Sequence, residues 1–241
     1  MKEAPTPDGS GCSERQVPVA SADSVRPAKI VGPMNQAIPV LIVAALELWV
    51  ASMLPWWGAI PAGWVGLSTG FAALAYLFNR PEWLGKGHRW LRALIAPYLG
   101  FSRGVAFIAQ RAGLRERSEV VPGLWVGGWP RFGAPGLCQL DLTAELPRRG
   151  EATDYACVPM LDGRAMRPEA YDAAVHRALE WREAGRGVLI HCAYGHGRSV
   201  SVAVGVLVAE GLAADIDAAV ALIREHRARG GVRPYQRGVV Q

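Results

Sequence analysis

Apolar residues along this chain change their spacing twice. The first 35 residues show no apolar periodicity and are rich in Pro, Ser, Gly and charge, so they read as a disordered tail. Two nearly unbroken apolar runs follow, AIPVLIVAALELWVASML (37–54), whose single charge is Glu47, and GAIPAGWVGLSTGFAALAYLF (58–78), which has none. Each approaches the roughly 20 residues that a bilayer-spanning helix requires, so two spans are predicted within 36–79. Pro61 is expected in the first turn of the second, where a missing N–H is tolerated. The competing reading is a buried helical hairpin of a soluble domain, and the flanks argue against it. Trp49, Trp56, Trp57 and Trp64 cluster about the short connection, which has no Lys or Arg, whereas Arg26, Lys29, Arg80, Lys86, Arg89 and Arg92 lie outside the pair. The positive-inside rule then places both termini in the cytoplasm. A carboxyl at mid-bilayer is costly, and Glu47 is expected protonated and bonded across the hairpin to Ser68 or Thr69.

The spacing next becomes helical and two-sided. In HRWLRALIAPYLGFSRGVAFIAQRAGLR (88–115), Arg89, Arg92, Arg103, Arg111 and Arg115 fall on one side of a helical wheel. Leu91, Leu94, Ile95, Tyr98, Phe101 and Val105 fall on the other. Pro97 should kink or divide this helix. A third span would set Arg103 near its centre, so the stretch reads as an amphipathic helix in the headgroup layer, apolar side down. Residues 80–117 thus form a basic juxtamembrane segment.

From about Ser118 the pattern is that of one compact α/β domain, 118–241. GLWVGG (123–128), LCQLDL (137–142), DYACVPM (154–160) and GVLIHC (187–192) are short apolar runs suited to buried strands. Helical spacing occupies RPEAYDAAVHRALEWREAG, SVSVAVGVLVAEGL and DIDAAVALIREHRARGG, the last capped by Asp215 or a neighbour. The expected fold is α/β, with a central mostly parallel sheet flanked by helices, preceded by the transmembrane hairpin and the interfacial helix.

Charge changes this picture only by its location. The net charge of +5 comes from residues 80–117, where eight basic groups face Glu82 and Glu116, while the tail and the α/β domain are each balanced. Such a placement favours an anionic membrane surface as partner and not a nucleic acid. Four cysteines, at 12, 138, 157 and 192, show no disulfide-framework spacing, which favours reduced thiols. Three lysines accompany 23 arginines, a bias of GC-rich bacterial genomes, so the expected membrane is a bacterial inner membrane.

The candidate chemistry lies in HCAYGHGRS. Cys192 ends a predicted strand and Ser199 opens a predicted helix, with Ala193, Tyr194, Gly195, His196, Gly197 and Arg198 between them. A strand–loop–helix bend gathers backbone N–H groups and a helix N-terminus around one point, which attracts a tetrahedral oxyanion. Gly195 and Gly197 let the loop wrap closely, including through positive φ. The same field lowers the thiol pKa of Cys192 towards a thiolate nucleophile, and Arg198 can grip two phosphate oxygens at once. His191, Cys192 and His196 lack the paired spacing of a structural zinc site, so no metal is assigned. Cys138 and Cys157 read as core residues, with Cys157 as a resolving thiol the alternative.

This run resembles the signature of the cysteine-based phosphatases, Cys-x5-Arg followed by Ser or Thr. VPGLWVGG, LDLTAEL and VPMLDG are similar, in the right order, to the opening strand, second strand and general-acid loop of the dual-specificity subfamily. The resemblance covers about 118–241. It implies phosphomonoester hydrolysis in two steps with no metal or cofactor. Cys192 would form a phosphocysteine, Arg198 and the loop amides would hold the oxygens, and Ser199 would assist the sulfur. His191 would orient the loop, and Asp162 would be the acid and then the base. Asp162 could instead be a plain turn residue in LDGR. Its rivals Asp154 and Asp172 precede a strand and lie within a helix, away from a strand's catalytic end. Arg164 and Arg167 are expected to contact an anionic substrate, with plain solvation the alternative. Three functions compete: a membrane-anchored phosphatase of lipid phosphates (phosphatidylglycerophosphate or phosphoinositide type), a membrane-tethered protein phosphatase, and an inactive phosphate-binding module.

Overall fold

The computed structural model describes residues 37–85, 89–112, 117–228, 230–232 and 234–240. The tail reading at 1–35 lies outside them, as do Lys86 and Arg115 of the basic segment. The chain opens with a hairpin of α1 (Ala37–Met53) and α2 (Trp56–Leu77), joined by Leu54 and Pro55 alone. Pro55 lacks the N–H that would prolong α1 and sits extended at φ −60° and ψ 155°. Its carbonyl instead starts α2, accepting from Gly58 N–H at 2.8 Å and Ala59 N–H at 2.9 Å. Because α2 begins at Trp56, Pro61 lies inside the helix and not in its first turn. Small residues bring the two helices together. A Cβ on Gly66 would stand 2.8 Å from the Leu48 side chain, and Ala44 and Ala51 are buried.

The expected bond from Glu47 to Ser68 or Thr69 is not made. Thr69 Oγ1 donates to Val65 O, Ser68 Oγ accepts from Tyr98 N–H at 3.0 Å, and Glu47 Oε2 has no hydrogen-bond partner among the described residues. Ser68 is captured because α5 lies against α2. Ile42, Leu46, Trp49, Met53, Trp56, Trp57 and Ile60 are exposed on the outside of the hairpin. Among the described residues, α2 is the one helix long and apolar enough to cross a membrane; α1, at 17 residues, is shorter.

The amphipathic stretch is divided, as Pro97 requires. A short α3 (Glu82–Gly85) precedes α4 (Arg89–Leu94), and α5 (Ala96–Arg111) begins after Ile95 with Pro97 in its first turn. Trp64 Nε1 of α2 donates to Ala93 O and Leu94 O at 3.2 and 3.1 Å, which ties α2 to the end of α4. The apolar side does not lie free for a headgroup layer. Ile95 is buried and Tyr98 and Val105 are half-buried, while Phe101 is 72% exposed. The reason is the Ser68 bond and the close fit of Leu99, Ala106 and Ala109, which turn this side towards the protein.

The α/β domain has five strands: β1 (Ser118–Val121), β2 (Leu124–Gly127), β3 (Gly133–Thr143), β4 (Glu151–Met160) and β5 (Val188–His191), in the order β1-β2-β5-β3-β4. β2, β5, β3 and β4 are mutually parallel, and β1 pairs antiparallel to β2 across a Pro122–Gly123 turn with Gly123 at φ +78°. Helices α6 (Pro168–Glu183), α7 (Arg198–Ala209), α8 (Ile216–His226) and α9 (Pro234–Val240) complete the domain. The register puts Val126, Ile190, Leu140 and Ala156 in one row, and these join Ala174, Val204, Leu207 and Ile223 in a single core. Each fully buried Leu or Ile there contributes about 1.5–3 kcal/mol. Because the strands are parallel, Gly127, His191, Thr143 and Met160 all end at one edge of the sheet. The site is built at that edge, as the ends of parallel strands dictate.

Candidate active site

Just beyond β5, Cys192 enters a bend of five residues, and α7 starts at Arg198 with Gly197 as its N-cap. The bend is shaped by close contact with β2. Cys192 N–H donates to Gly127 O at 3.4 Å and Trp129 N–H to Ala193 O at 3.3 Å. Gly195, at φ +75°, comes so near that a Cβ would lie 2.5 Å from Gly127 C and 2.6 Å from Gly128 N. No other residue fits there. Gly197, by contrast, has φ −124°, so only one of the two expected positive-φ glycines is realised.

The thiol of Cys192 is buried at the centre of this bend. Gly195 N–H donates to its Sγ at 3.2 Å, and Ser199 Oγ lies 3.4 Å away. Burial alone pushes the thiol pKa up. The Arg198 charge, opposed by Asp162, and hydrogen bonds from the side chain and backbone of Ser199 carry it below its ordinary value.

Arg198 is wholly buried. Its Nη1 donates to Met160 O at 2.6 Å and Leu142 O at 3.3 Å, which holds the ends of β4 and β3 together. Its Nη2 faces Asp162 Oδ1 at 3.5 Å and Glu145 Oε1 at 3.6 Å. Nε and Nη2 have no hydrogen-bond partner among the described residues, so half of the guanidinium fork is free for two oxygens of an oxyanion. Burial works against this cation, yet Asp162 and Glu145 keep its pKa above the usual arginine value.

Asp162 follows β4 in a turn with Gly163 at φ +68°, so it is both a turn residue and a member of the site. Its side chain is 46% exposed, open to solvent above Arg198. The rivals are elsewhere: Asp154, expected ahead of the strand, lies within β4, where it accepts from Trp181 Nε1 and from Tyr155 N–H, and Asp172 lies on α6. His191 is buried under the loop, its Nε2 2.8 Å from Gln139 Nε2 and its Nδ1 3.8 Å from Asp141 Oδ1. Asp141 is itself held by Thr143 and the Tyr155 hydroxyl. Arg167 pairs with Glu82 of α3 at 3.7 Å, and neither it nor Arg164 lines the cavity described next, so the expected contacts of these two with substrate are not made there.

Above the loop is a cavity of about 160 Å³, and the helices before the α/β domain form one of its walls. Tyr76 of α2 and Tyr98, Phe101, Ser102, Val105 and Ala106 of α5 stand opposite Glu145, Leu146, Asp162, Ala193 and Tyr194. Ala106 packs with Trp129, Leu146 and Ala193, and Tyr76 with Ala144 and Leu161, so α5 and α2 rest directly on the loops that follow β3, β4 and β5. Sequence reasoning missed this wall, and it missed Glu145. Burial pushes the Glu145 carboxyl up, opposed by Arg198 and reinforced by Asp162. Its only local signal is an acidic residue two positions beyond the end of β3, in otherwise apolar surroundings.

No family model matches the chain, and no curated protein matches it. Among solved structures it is similar to the human tyrosine phosphatase-like serine/threonine/tyrosine-interacting protein, at 16% identity over 53% of this chain and 94% of that one, with a TM-score of 0.46. Human DUSP28 matches at 18% identity over 52% and 90%, with a TM-score of 0.42. PTPMT1 in complex with PI(5)P matches at 16% identity over 53% and 92%, with a TM-score of 0.43.

Proposed function

We propose that the chain is a membrane-anchored phosphomonoester hydrolase that works through a phosphocysteine and acts on a lipid phosphate, of the phosphatidylglycerophosphate or phosphoinositide type. One observation carries the chemistry: a buried thiol bonded by Gly195 N–H and Ser199, beside a buried guanidinium with two free donor atoms. The thiolate attacks phosphorus, an S–P bond forms, and the ester P–O bond breaks while Asp162 gives its proton to the leaving alkoxide. Arg198 and the loop amides hold the remaining oxygens as charge moves through the transition state. Asp162, now a carboxylate, then takes a proton from the water that attacks phosphorus. The S–P bond breaks, and the Ser199 hydroxyl donates to the returning thiolate. One ester and one water become one alcohol and one inorganic phosphate.

A lipid is preferred over a protein substrate because α5 covers the site. A phosphorylated segment of a folded partner would have to displace it, whereas a head group fits the cavity and leaves beside the exposed Phe101. The apolar outside of the α1–α2 hairpin supports anchorage in a membrane, with both termini on the cytoplasmic side. On this reading residues 36–79 anchor the chain, 80–117 join anchor to enzyme, and 118–241 carry the catalysis. The inactive-module alternative is disfavoured by the presence of Cys192, Arg198, Ser199 and Asp162 together.

The test is phosphate release by the purified full chain in liposomes, from anionic lipid phosphomonoesters and from phosphopeptides. Lipid turnover should dominate. Cys192→Ser should abolish it, by at least about a thousandfold, and Asp162→Asn should lower kcat by roughly a hundredfold. Strong peptide turnover with negligible lipid turnover would overturn the lipid substrate, and equal rates in wild type and Cys192→Ser would remove the nucleophile.

A further inference from the structure

The cavity holds more hydroxyl groups than phosphoryl transfer uses. Tyr76, Tyr98 and Ser102 project into it from α2 and α5, and none of them is needed for attack, protonation or oxyanion binding. Tyr98 and Ser102 stand one turn apart on α5 and Tyr76 lines the same cavity from α2, and both tyrosines stand within electrostatic reach of Glu145 and Arg198. They are held firmly. Tyr98 N–H donates to the fully buried Ser68 Oγ, and Tyr76 packs with Ala144 and Leu161, the immediate neighbours of Glu145 and Asp162.

The rest of the lining narrows what such a cluster recognises. Among the described residues no Lys or Arg lines the cavity, and its charged members are the carboxylates Glu145 and Asp162. Beyond the guanidinium beneath it, the cavity therefore offers phenol, alcohol and carboxylate groups, which pair with alcohol hydroxyls. At its edge Phe101 and Val105, one turn apart on α5, continue to Ile108. Phe101 and Ile108 are 72% and 68% exposed, an apolar strip leading away from the polar floor.

We infer that Tyr98, supported by Tyr76 and Ser102, forms a head-group subsite that selects phosphomonoesters bearing a free hydroxyl on the carbon next to the scissile ester, as in a glycerol or inositol phosphate head group. That hydroxyl bonds to Tyr98 while the lipid tail follows Phe101 and Ile108. The α2–α5 wall is then part of the enzyme's specificity and not only its tether. The inference rests on the lipid phosphatase reading.

The experiment compares two probes in phosphatidylcholine vesicles with the full chain: phosphatidylglycerophosphate, which has the neighbouring hydroxyl, and phosphatidate, which lacks it. Wild type should favour the first by about tenfold or more in kcat/KM. Tyr98→Phe should reduce that ratio by about tenfold, chiefly through the KM of the hydroxylated substrate, and Ser102→Ala should reduce it less. Phe107→Ala, on the opposite side of α5 beneath Arg111, should leave the ratio as it is. A wild-type ratio near one overturns the subsite, as does a Tyr98→Phe loss equal for both lipids, which a merely structural tyrosine would give. Hydrolysis of neither lipid, with Cys192-dependent hydrolysis of a phosphopeptide, overturns the lipid reading itself and the subsite with it.

Discussion

In the bend whose Ala193 and Tyr194 form the floor of the cavity, Cys192, Gly195, Arg198 and Ser199 lie within eight consecutive residues, whereas the roof takes Tyr76 from α2 and Tyr98 from α5, with two short helices between. The floor is held by backbone geometry: a parallel strand end, one left-handed glycine and a helix start. The roof is held by side-chain contacts between distant segments, each worth about 1 kcal/mol. Damage to the floor should therefore remove the chemistry while the fold persists. Damage to the roof should alter which ester is accepted and how firmly the helices stay docked.

The most severe break is Gly195→Ala. At φ +75° with backbone atoms 2.5–2.6 Å from the new Cβ, the loop must leave β2 and the thiol loses its N–H donor. Phosphate release should fall by on the order of a hundredfold or more, with helix content retained by circular dichroism. A variant that keeps near-normal turnover would show that the amide cradle is dispensable.

A subtler perturbation separates the thiol from its field. Alkylation by iodoacetamide follows the thiolate, so its rate at Cys192 rises with pH through the thiol pKa. In the wild type that rise should be centred below the ordinary thiol value of about 8.5. Arg198→Met removes the charge that lowers the pKa and leaves the burial that raises it, so the midpoint should move above that value. Peptide mass spectrometry separates Cys192 from Cys138, the other free thiol among the described residues; Cys157 is disulfide-bonded, against the expectation of reduced thiols. A midpoint that stays in place would detach Arg198 from the thiol.

The mildest effect is expected in the roof. Trp64→Phe removes the donor to Ala93 O and Leu94 O and should cost about 1 kcal/mol. Thermal unfolding in detergent should shift down by a few degrees, and turnover by about twofold at most. A loss as large as that of Gly195→Ala would mean that the two halves of the site are not separable.

The same contrast explains what could be read in advance. β2 to β5 and α6 to α8 were legible because each is an apolar run or a periodic segment with its own turn signals. β1, the four residues SEVV, was not, since it becomes a strand only by pairing across Pro122–Gly123. α9 is seven residues long and exists by packing on α6 and α7, where Ser201 Oγ donates to Gln236 Oε1. The Cys192–Ser199 bend was legible because its anion-binding geometry is local, and Asp162 because it stands in the turn just beyond a strand's end. Glu145 becomes visible only once β3 is known to run parallel to β5 and to end at the same edge. Tyr98 looked like one residue of a membrane-facing stripe. Its position over the site depends on Ser68 and on the seating of Ala106 against Trp129, contacts between residues far apart in the chain.

Arg198 reaches two backbone carbonyls, Leu142 O and Met160 O, with Nη1, and its Nε and Nη2 have no hydrogen-bond partner among the described residues. A single guanidinium thus clamps adjacent strands while waiting for its anion. Occupancy and rigidity are consequently linked: a captured oxyanion neutralises the buried cation and tightens the clamp, so vanadate or tungstate should raise the melting temperature as well as inhibit. Replacing this arginine loosens both at once, and the mute thiol mutant, not the arginine mutant, is the better trap for a bound ester.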